Sequence, residues 1–111
     1  ETHLGQLKVK IENLFEIEKI YLNENLTIYD IAQKVGSNRS YISRVINVDF
    51  GMNFSQYVNS YRLSHARDLS IREPNLSREE LAVSSGFSGA RSMRRVWKAS
   101  QEKKTLKKKC S

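Results

Sequence analysis

Apolar residues recur along this chain at helical spacing, and no stretch sustains the alternation of a half-buried strand. In the first segment Leu4, Leu7, Ile11, Leu14, Phe15 and Ile20 fall near that spacing, with charged residues between them. An amphipathic helix is therefore expected there, ending in the stretch from Tyr21 to Asn25. Leu26 to Ala32 opens a second helix. Thr27 is a good N-cap, Asp30 stands where a capping box needs an acid, and Leu26 and Ile31 occupy the positions of a hydrophobic staple. Gly36 suits the left-handed residue that ends such a helix. A further helix should begin after Asn38 and run to about Asp49, with Gly51 ending it. A long helix follows from near Asn53 to Ile71. Its expected inward positions are Phe54, Tyr57, Val58, Tyr61, Ala66 and Leu69, with Arg62, His65, Arg67 and Asp68 on the polar side. Arg72-Glu73-Pro74-Asn75 breaks it.

What comes next repeats what came before. Leu76-Ser77-Arg78-Glu79-Glu80-Leu81-Ala82 matches Leu26 to Ala32 position by position at a shift of fifty residues. Ser77 stands where Thr27 capped, Glu80 answers Asp30, Leu76 and Leu81 repeat the staple, and Gly86 answers Gly36. A helix-turn-helix needs a small residue in its first helix, so that the second can cross closely. It also needs a residue tolerant of positive φ in the turn and an apolar residue inside the second helix. Ala32, Gly36 and Ile42 supply these once. Ala82, Gly86 and Met93 supply them again, with one extra residue in the turn.

The second helix of each pair has an outward face. Over Asn38 to Asn47 the inward residues are Ile42, Val45 and Ile46, which leaves Arg39, Ser40, Ser43 and Arg44 outward. Over Gly89 to Lys98 the inward residues are Met93, Val96 and Trp97, which leaves Ala90, Arg91, Arg94 and Arg95 outward. Arginine can hold guanine O6 and N7 with two hydrogen bonds, and serine can reach several bases or a phosphate. Neither outward face carries an acid, which would repel phosphate. For any single residue, an ordinary solvated face is the competing reading. Glu79 and Glu80 suit the N-terminus of their helix, with a surface for polymerase as the alternative.

Charge sharpens this picture. The chain carries +7 overall, but residues 1–30 sum to −3, residues 31–98 to +6 and residues 99–111 to +4. The basic excess thus coincides with the repeated units and the tail, the footprint of a polyanion partner. A lysine tail alone would also suit an acidic membrane surface. No apolar run approaches the roughly 18–20 residues that cross a bilayer, and Glu1 to Lys10 lack the apolar core of a secretory signal. Cys110 is the only cysteine, and His3 and His65 are the only histidines. With no phosphate-binding glycine loop either, the expectation is no catalysis, no cofactor and no metal.

The residues resemble the AraC/XylS family of transcription regulators over about Leu14 to Lys98. Leu26-Thr27 through Asn47 resembles the family's first helix-turn-helix. Gly51-Met52-Asn53-Phe54-Ser55-Gln56-Tyr57, then Tyr61-Arg62-Leu63 and Ala66, resembles its connecting helix. Ser84-Ser85-Gly86-Phe87-Ser88 and Met93 to Lys98 resemble its second unit, with Gly86-Phe87 and Trp97-Lys98 the most specific parts. The acidic first helix and Ile20-Tyr21-Leu22-Asn23 look like members that serve as output domains of larger sensors.

The resemblance implies an all-α, homeodomain-like fold of two helix-turn-helix subdomains joined by a long linker helix. Its parts are the N-terminal helix plus first helix-turn-helix (1–52), the linker helix (53–72), the second helix-turn-helix (73–98) and a basic C-terminal tail (99–111). It implies base contacts from Ser40, Ser43, Arg44, Ala90, Arg91 and Arg95. Arg39, Arg94 and Lys98 are expected at the DNA backbone or as auxiliaries. The partner is double-stranded DNA, read in two adjacent major-groove segments about 34 Å apart. A regulatory or sensor domain of the full-length protein and RNA polymerase are further candidate partners. The fragment is expected to be a monomer without DNA. It is expected in the bacterial cytoplasm, on the nucleoid when bound, in a full-length protein that can itself be membrane-tethered.

The family pattern after the second unit is a Gly, Thr-Pro and a final helix ending in Tyr-Arg. Here Ala99-Ser100-Gln101-Glu102 and a lysine-rich tail stand instead, so the last helix is either absent or replaced by an extension of the preceding one. Met93 and Trp97 stand where the family usually has Phe. Two other functions compete. A helical protein-interaction module predicts large apolar residues on the outward faces. A non-specific polyanion binder predicts that affinity resides in the tail.

Overall fold

The computed structural model describes the backbone of residues 2–110 and the side chains of residues 5–101. Among the described residues every regular element is helical. The order is α1 (Thr2–Glu16), a short 3-10 turn (Ile20–Leu22), α2 (Ile28–Val35), α3 (Arg39–Phe50), α4 (Phe54–Arg72), α5 (Arg78–Ser84) and α6 (Ala90–Cys110). Contacts divide the chain into Glu1–Tyr61 and Arg62–Ser111, so α4 contributes residues to both units.

The first unit packs α1, α2, α3 and the start of α4 around one core. Leu7, Ile11, Leu14 and Phe15 of α1 meet Ile31, Val35, Ile42 and Ile46, and Tyr57 and Val58 close it. Each such large apolar side chain contributes on the order of 1.5–3 kcal/mol by leaving water. Asn53 starts α4 with a reciprocal cap. Its Oδ1 accepts from Gln56 N at 2.8 Å, and its own N–H donates to Gln56 Oε1 at 3.0 Å.

The first helix is shorter than its sequence pattern suggests. It ends at Glu16, and Lys19 takes up a left-handed conformation with φ 52°. A continued helix, at about 100° per residue, would carry Tyr21 roughly 120° around the axis from Phe15 and put Leu22 over it instead. The reversal buries Tyr21 against Phe15, ring centroids 6.2 Å apart, and leaves Leu22 exposed. Ile20 therefore packs from the turn and not from the face of α1. Phe15 also contacts the rings of Tyr57 and Tyr61 at 4.6 and 5.1 Å. The Tyr61 hydroxyl donates to Glu16 Oε2. Burial first, and then this carboxylate acceptor, push the Tyr61 phenol well above its usual range.

The second unit is smaller. Ala66, Leu81, Ala82, Phe87 and Met93 are buried together, with Leu69, Leu76, Val96 and Trp97 packed around them. Pro74 follows the end of α4 at Arg72, as expected from its missing N–H. Two residues assigned to the polar side of α4 lie elsewhere. His65 is half-buried, its Nδ1 3.0 Å from the hydroxyl of fully buried Ser85. The Arg67 guanidinium lies over the Trp97 ring at 5.4 Å and donates to Ser100 Oγ. Leu63, absent from the expected inward set, is buried as well. For His65 and Arg67 the reason is that Ser85 of the α5–α6 turn, and Trp97 and Ser100 of α6, meet them on a side of α4 that a solvated linker would expose.

α6 runs without interruption from Ala90 to Cys110, so an extension stands in place of a separate final helix. The side chains of His3, Leu4 and Cys110, and those of the lysine tail, lie outside the described residues. No helix among the described residues is long and apolar enough to cross a membrane.

Candidate nucleic-acid interface

Each unit holds a pair of helices joined by a tight turn, and the turn chemistry is the same in both. Thr27 Oγ1 accepts from Asp30 N at 3.3 Å, and Thr27 N donates to Asp30 Oδ2 at 2.8 Å. Ser77 and Glu80 form the same box at 3.1 and 2.9 Å. At the other end, Ser37 N donates to Ala32 O, and Phe87 N donates to Ala82 O. Gly36 N reaches Gln33 O, and Gly86 N reaches Val83 O. These are equivalent bonds at the fifty-residue shift. Both glycines have positive φ, 68° and 95°, a region that costs a Cβ-bearing residue roughly 1–2 kcal/mol. Ala32 and Ala82 are buried at the crossing, where a longer side chain would push the paired helices apart.

Ile42, Val45 and Ile46 anchor α3 in its core, and Met93 anchors α6 with help from half-buried Val96 and Trp97. This fixes which way the remaining side chains point. On α3, Arg39, Ser40 and Arg44 are exposed and Ser43 is half-buried. On α6, Arg91, Arg94, Arg95 and Lys98 are exposed and Ala90 is half-buried. Ser40, Ser43 and Arg44 follow i, i+3, i+4 spacing and form one stripe, and so do Arg91, Arg94 and Arg95. Lys98 continues the second stripe by one turn. Arg39 and Ala90 sit at the first residue of their helices, beside the stripes.

The equivalent of Lys98 on α3 is Asn47, which was not singled out in the sequence. It is exposed and lies on the same stripe as Ser40, and its Nδ2 donates to Ser43 O at 3.0 Å. The i+7 spacing from Ser40 was the available signal. An asparagine there has the donor and acceptor to pair with adenine. Beside the start of α3 lies an open cleft of about 690 Å³, walled by Tyr29, Gln33, Ser37, Arg39 and Ser40. The second unit has a smaller cleft of about 360 Å³ between α5 and α6. Leu81, Met93 and Trp97 line its apolar part, with Arg78, Ala90 and Arg94 completing it.

The helix starts differ. Asn38 caps α3, its Oδ1 accepting from Tyr41 N at 3.1 Å. The matching position before α6 is Gly89, which has no side chain to offer. Instead Glu79 reaches across from α5, and its Oε1 accepts from Ala90 N at 3.1 Å. A Cβ on Gly89 would sit 3.4 Å from the same carboxylate. Glu80 closes the capping box of α5 itself, so the two neighbouring acids serve different helices.

Comparison with known proteins gives three findings. A helix-turn-helix domain family model matches residues 31–102, more than half of the chain. An uncharacterized HTH-type transcriptional regulator of Staphylococcus aureus (strain MSSA476) is 26% identical over 90 residues. These are 80% of this chain but 12% of that protein. The uncharacterized HTH-type transcriptional regulator YtdP of Bacillus subtilis (strain 168) is 26% identical over 94 residues, 85% of this chain and again 12% of the relative. The chain thus spans about an eighth of the length of the curated relatives it matches. Among solved structures, the C-terminal domain of the two-component response regulator yesN from Fusobacterium nucleatum superposes with a TM-score of 0.70. It shares 22% identity and covers 88% of this chain and 89% of its own.

Proposed function

The chain belongs to the AraC-type helix-turn-helix family, and from that premise we propose that it is the output domain of a bacterial transcription regulator and binds double-stranded DNA sequence-specifically in the major groove. One observation carries the reading. Two capped helix pairs, alike in their turn bonds, each hold a second helix whose exposed stripe is basic or polar and free of acids. In this reading Ser40, Ser43 and Arg44, then Ala90, Arg91 and Arg95, contact bases. Arg39, Arg94 and Lys98 hold phosphates or assist. Asn47 joins the first group as an adenine-reading candidate.

Each unit is proposed to read its own block of base pairs, the two blocks lying in adjacent major-groove segments. The domain binds as a monomer in the cytoplasm, takes its signal from a regulatory region of the longer protein, and needs no cofactor or catalysis. A protein-interaction module is disfavoured because neither stripe carries a large apolar residue.

Selection of bound duplexes from a random DNA pool tests the proposal. Two enriched blocks are expected. A pool that stays random, or affinity that vanishes when residues 101–111 are deleted, would instead mark a non-specific polyanion binder.

A further inference from the structure

Beside their stripes the two reading heads differ in charge at a matched place on the first helix of each pair. At the fifty-residue shift, Glu79 answers Tyr29. Tyr29 is largely exposed, at 65%, and lines the cleft beside Arg39 and Ser40. Its phenol is neutral and can donate to a phosphate oxygen. Glu79 is exposed too, but it is an acid, and one of its carboxylate oxygens is already engaged with Ala90 N. That bond brings its negative charge to the first residue of α6, Ala90, itself a proposed base contact and one residue from Arg91. In the first unit Asn38 caps α3 without any charge. The second head therefore carries more positive charge along its stripe, from Arg91, Arg94, Arg95 and Lys98, and a built-in counter-charge at its leading end.

A carboxylate in this place repels the phosphates that every DNA sequence presents equally. It penalises loosely placed backbone contacts more than arginine–base contacts formed in register. We propose that Glu79 is a specificity-determining residue of the second head. It lowers affinity for DNA in general and so widens the gap between the correct site and all others, an instance of discrimination by repulsion. This rests on the DNA-binding reading above.

Glu79→Gln tests it, because the amide keeps an oxygen to accept from Ala90 N while losing the charge. Binding of the selected duplex and of a scrambled duplex is measured by fluorescence anisotropy over a range of salt concentrations. For the scrambled duplex, E79Q is expected to bind about two- to fivefold more tightly, the scale of one charge at a helix terminus. The slope of log affinity against log salt should steepen by up to about one. Affinity for the selected duplex should change less, so the ratio between the two duplexes falls.

The reciprocal variant, Tyr29→Glu, leaves α6 untouched. It should weaken scrambled-duplex binding and flatten the salt slope. Unchanged scrambled affinity and salt slope in both variants would overturn the proposal and leave Glu79 a cap and nothing more. If the unmodified chain fails to prefer the selected duplex at all, the DNA-binding reading itself falls. If it does prefer that duplex but E79Q matches it in every titration, only the role of Glu79 falls.

Discussion

In the first helix-turn-helix, Asn38 caps its own helix, and a core reaching from Leu7 to Val58 stands behind it. In the second, Gly89 occupies the matching place, a carboxylate from the preceding helix does the capping, and a much smaller core centres on Phe87 and Met93. The turn between the helices is nevertheless bonded alike in both, through Gly36 and Gly86 and the carbonyls of Ala32 and Ala82. Turn geometry thus depends on a few local residues, while the cap and the core can be supplied from different places. The first unit has α1 to cover it. The second relies on the end of α4, with Arg67 laid over Trp97 at its edge.

This contrast can be pressed hardest through the cores. Ile42→Ala and Met93→Ala each remove a buried anchor of a second helix, and each should cost about 2–5 kcal/mol in its own unit. Thirteen buried side chains form the first core and five the second, counting the described residues. The second unit should therefore lose protection first. Hydrogen exchange read residue by residue should show α5 and the start of α6 opening at lower free energy than α2 and α3 in the unmodified chain, and opening almost freely in M93A. Slower exchange in the second unit than in the first would break the comparison.

A smaller effect sharpens the same contrast at the caps. Asn38→Ala removes a neutral local cap and should cost about 1 kcal/mol, confined to the first unit. Ser77→Ala should cost a similar amount in the second. Denaturant titration, with Trp97 fluorescence as a probe of the second unit, separates the two. A loss at Trp97 on mutating Asn38 would mean that the units do not respond separately.

Much of this was legible in the sequence because it is local. The caps at Thr27 and Ser77, the starts at Asn38 and Asn53 and the stops at Gly36 and Gly51 each depend on residues within a turn of one another. The inward face of α3 followed from spacing alone. What escaped depends on contacts between residues distant in the chain. The end of α1 at Glu16 is set by Tyr21 folding back on Phe15, which periodicity does not see. His65 and Arg67 looked solvent-facing because their partners, Ser85 and Trp97, are twenty and thirty residues further along. Glu79 was read as favouring its own helix, because nothing local tells an acid which of two nearby helix starts it will reach. Asn47 could have been found, since it continues the stripe of Ser40, Ser43 and Arg44 at the same spacing.

The most direct test asks whether both second helices read bases. Arg44→Ala and Arg95→Ala are titrated against the selected duplex and against duplexes altered at each position in turn. Each variant should lose about 1–3 kcal/mol, and each should become indifferent to base identity at one position, R44A in one block and R95A in the other. A uniform loss across every duplex for both variants, or a loss of discrimination in the same block for both, would contradict the account of two reading heads.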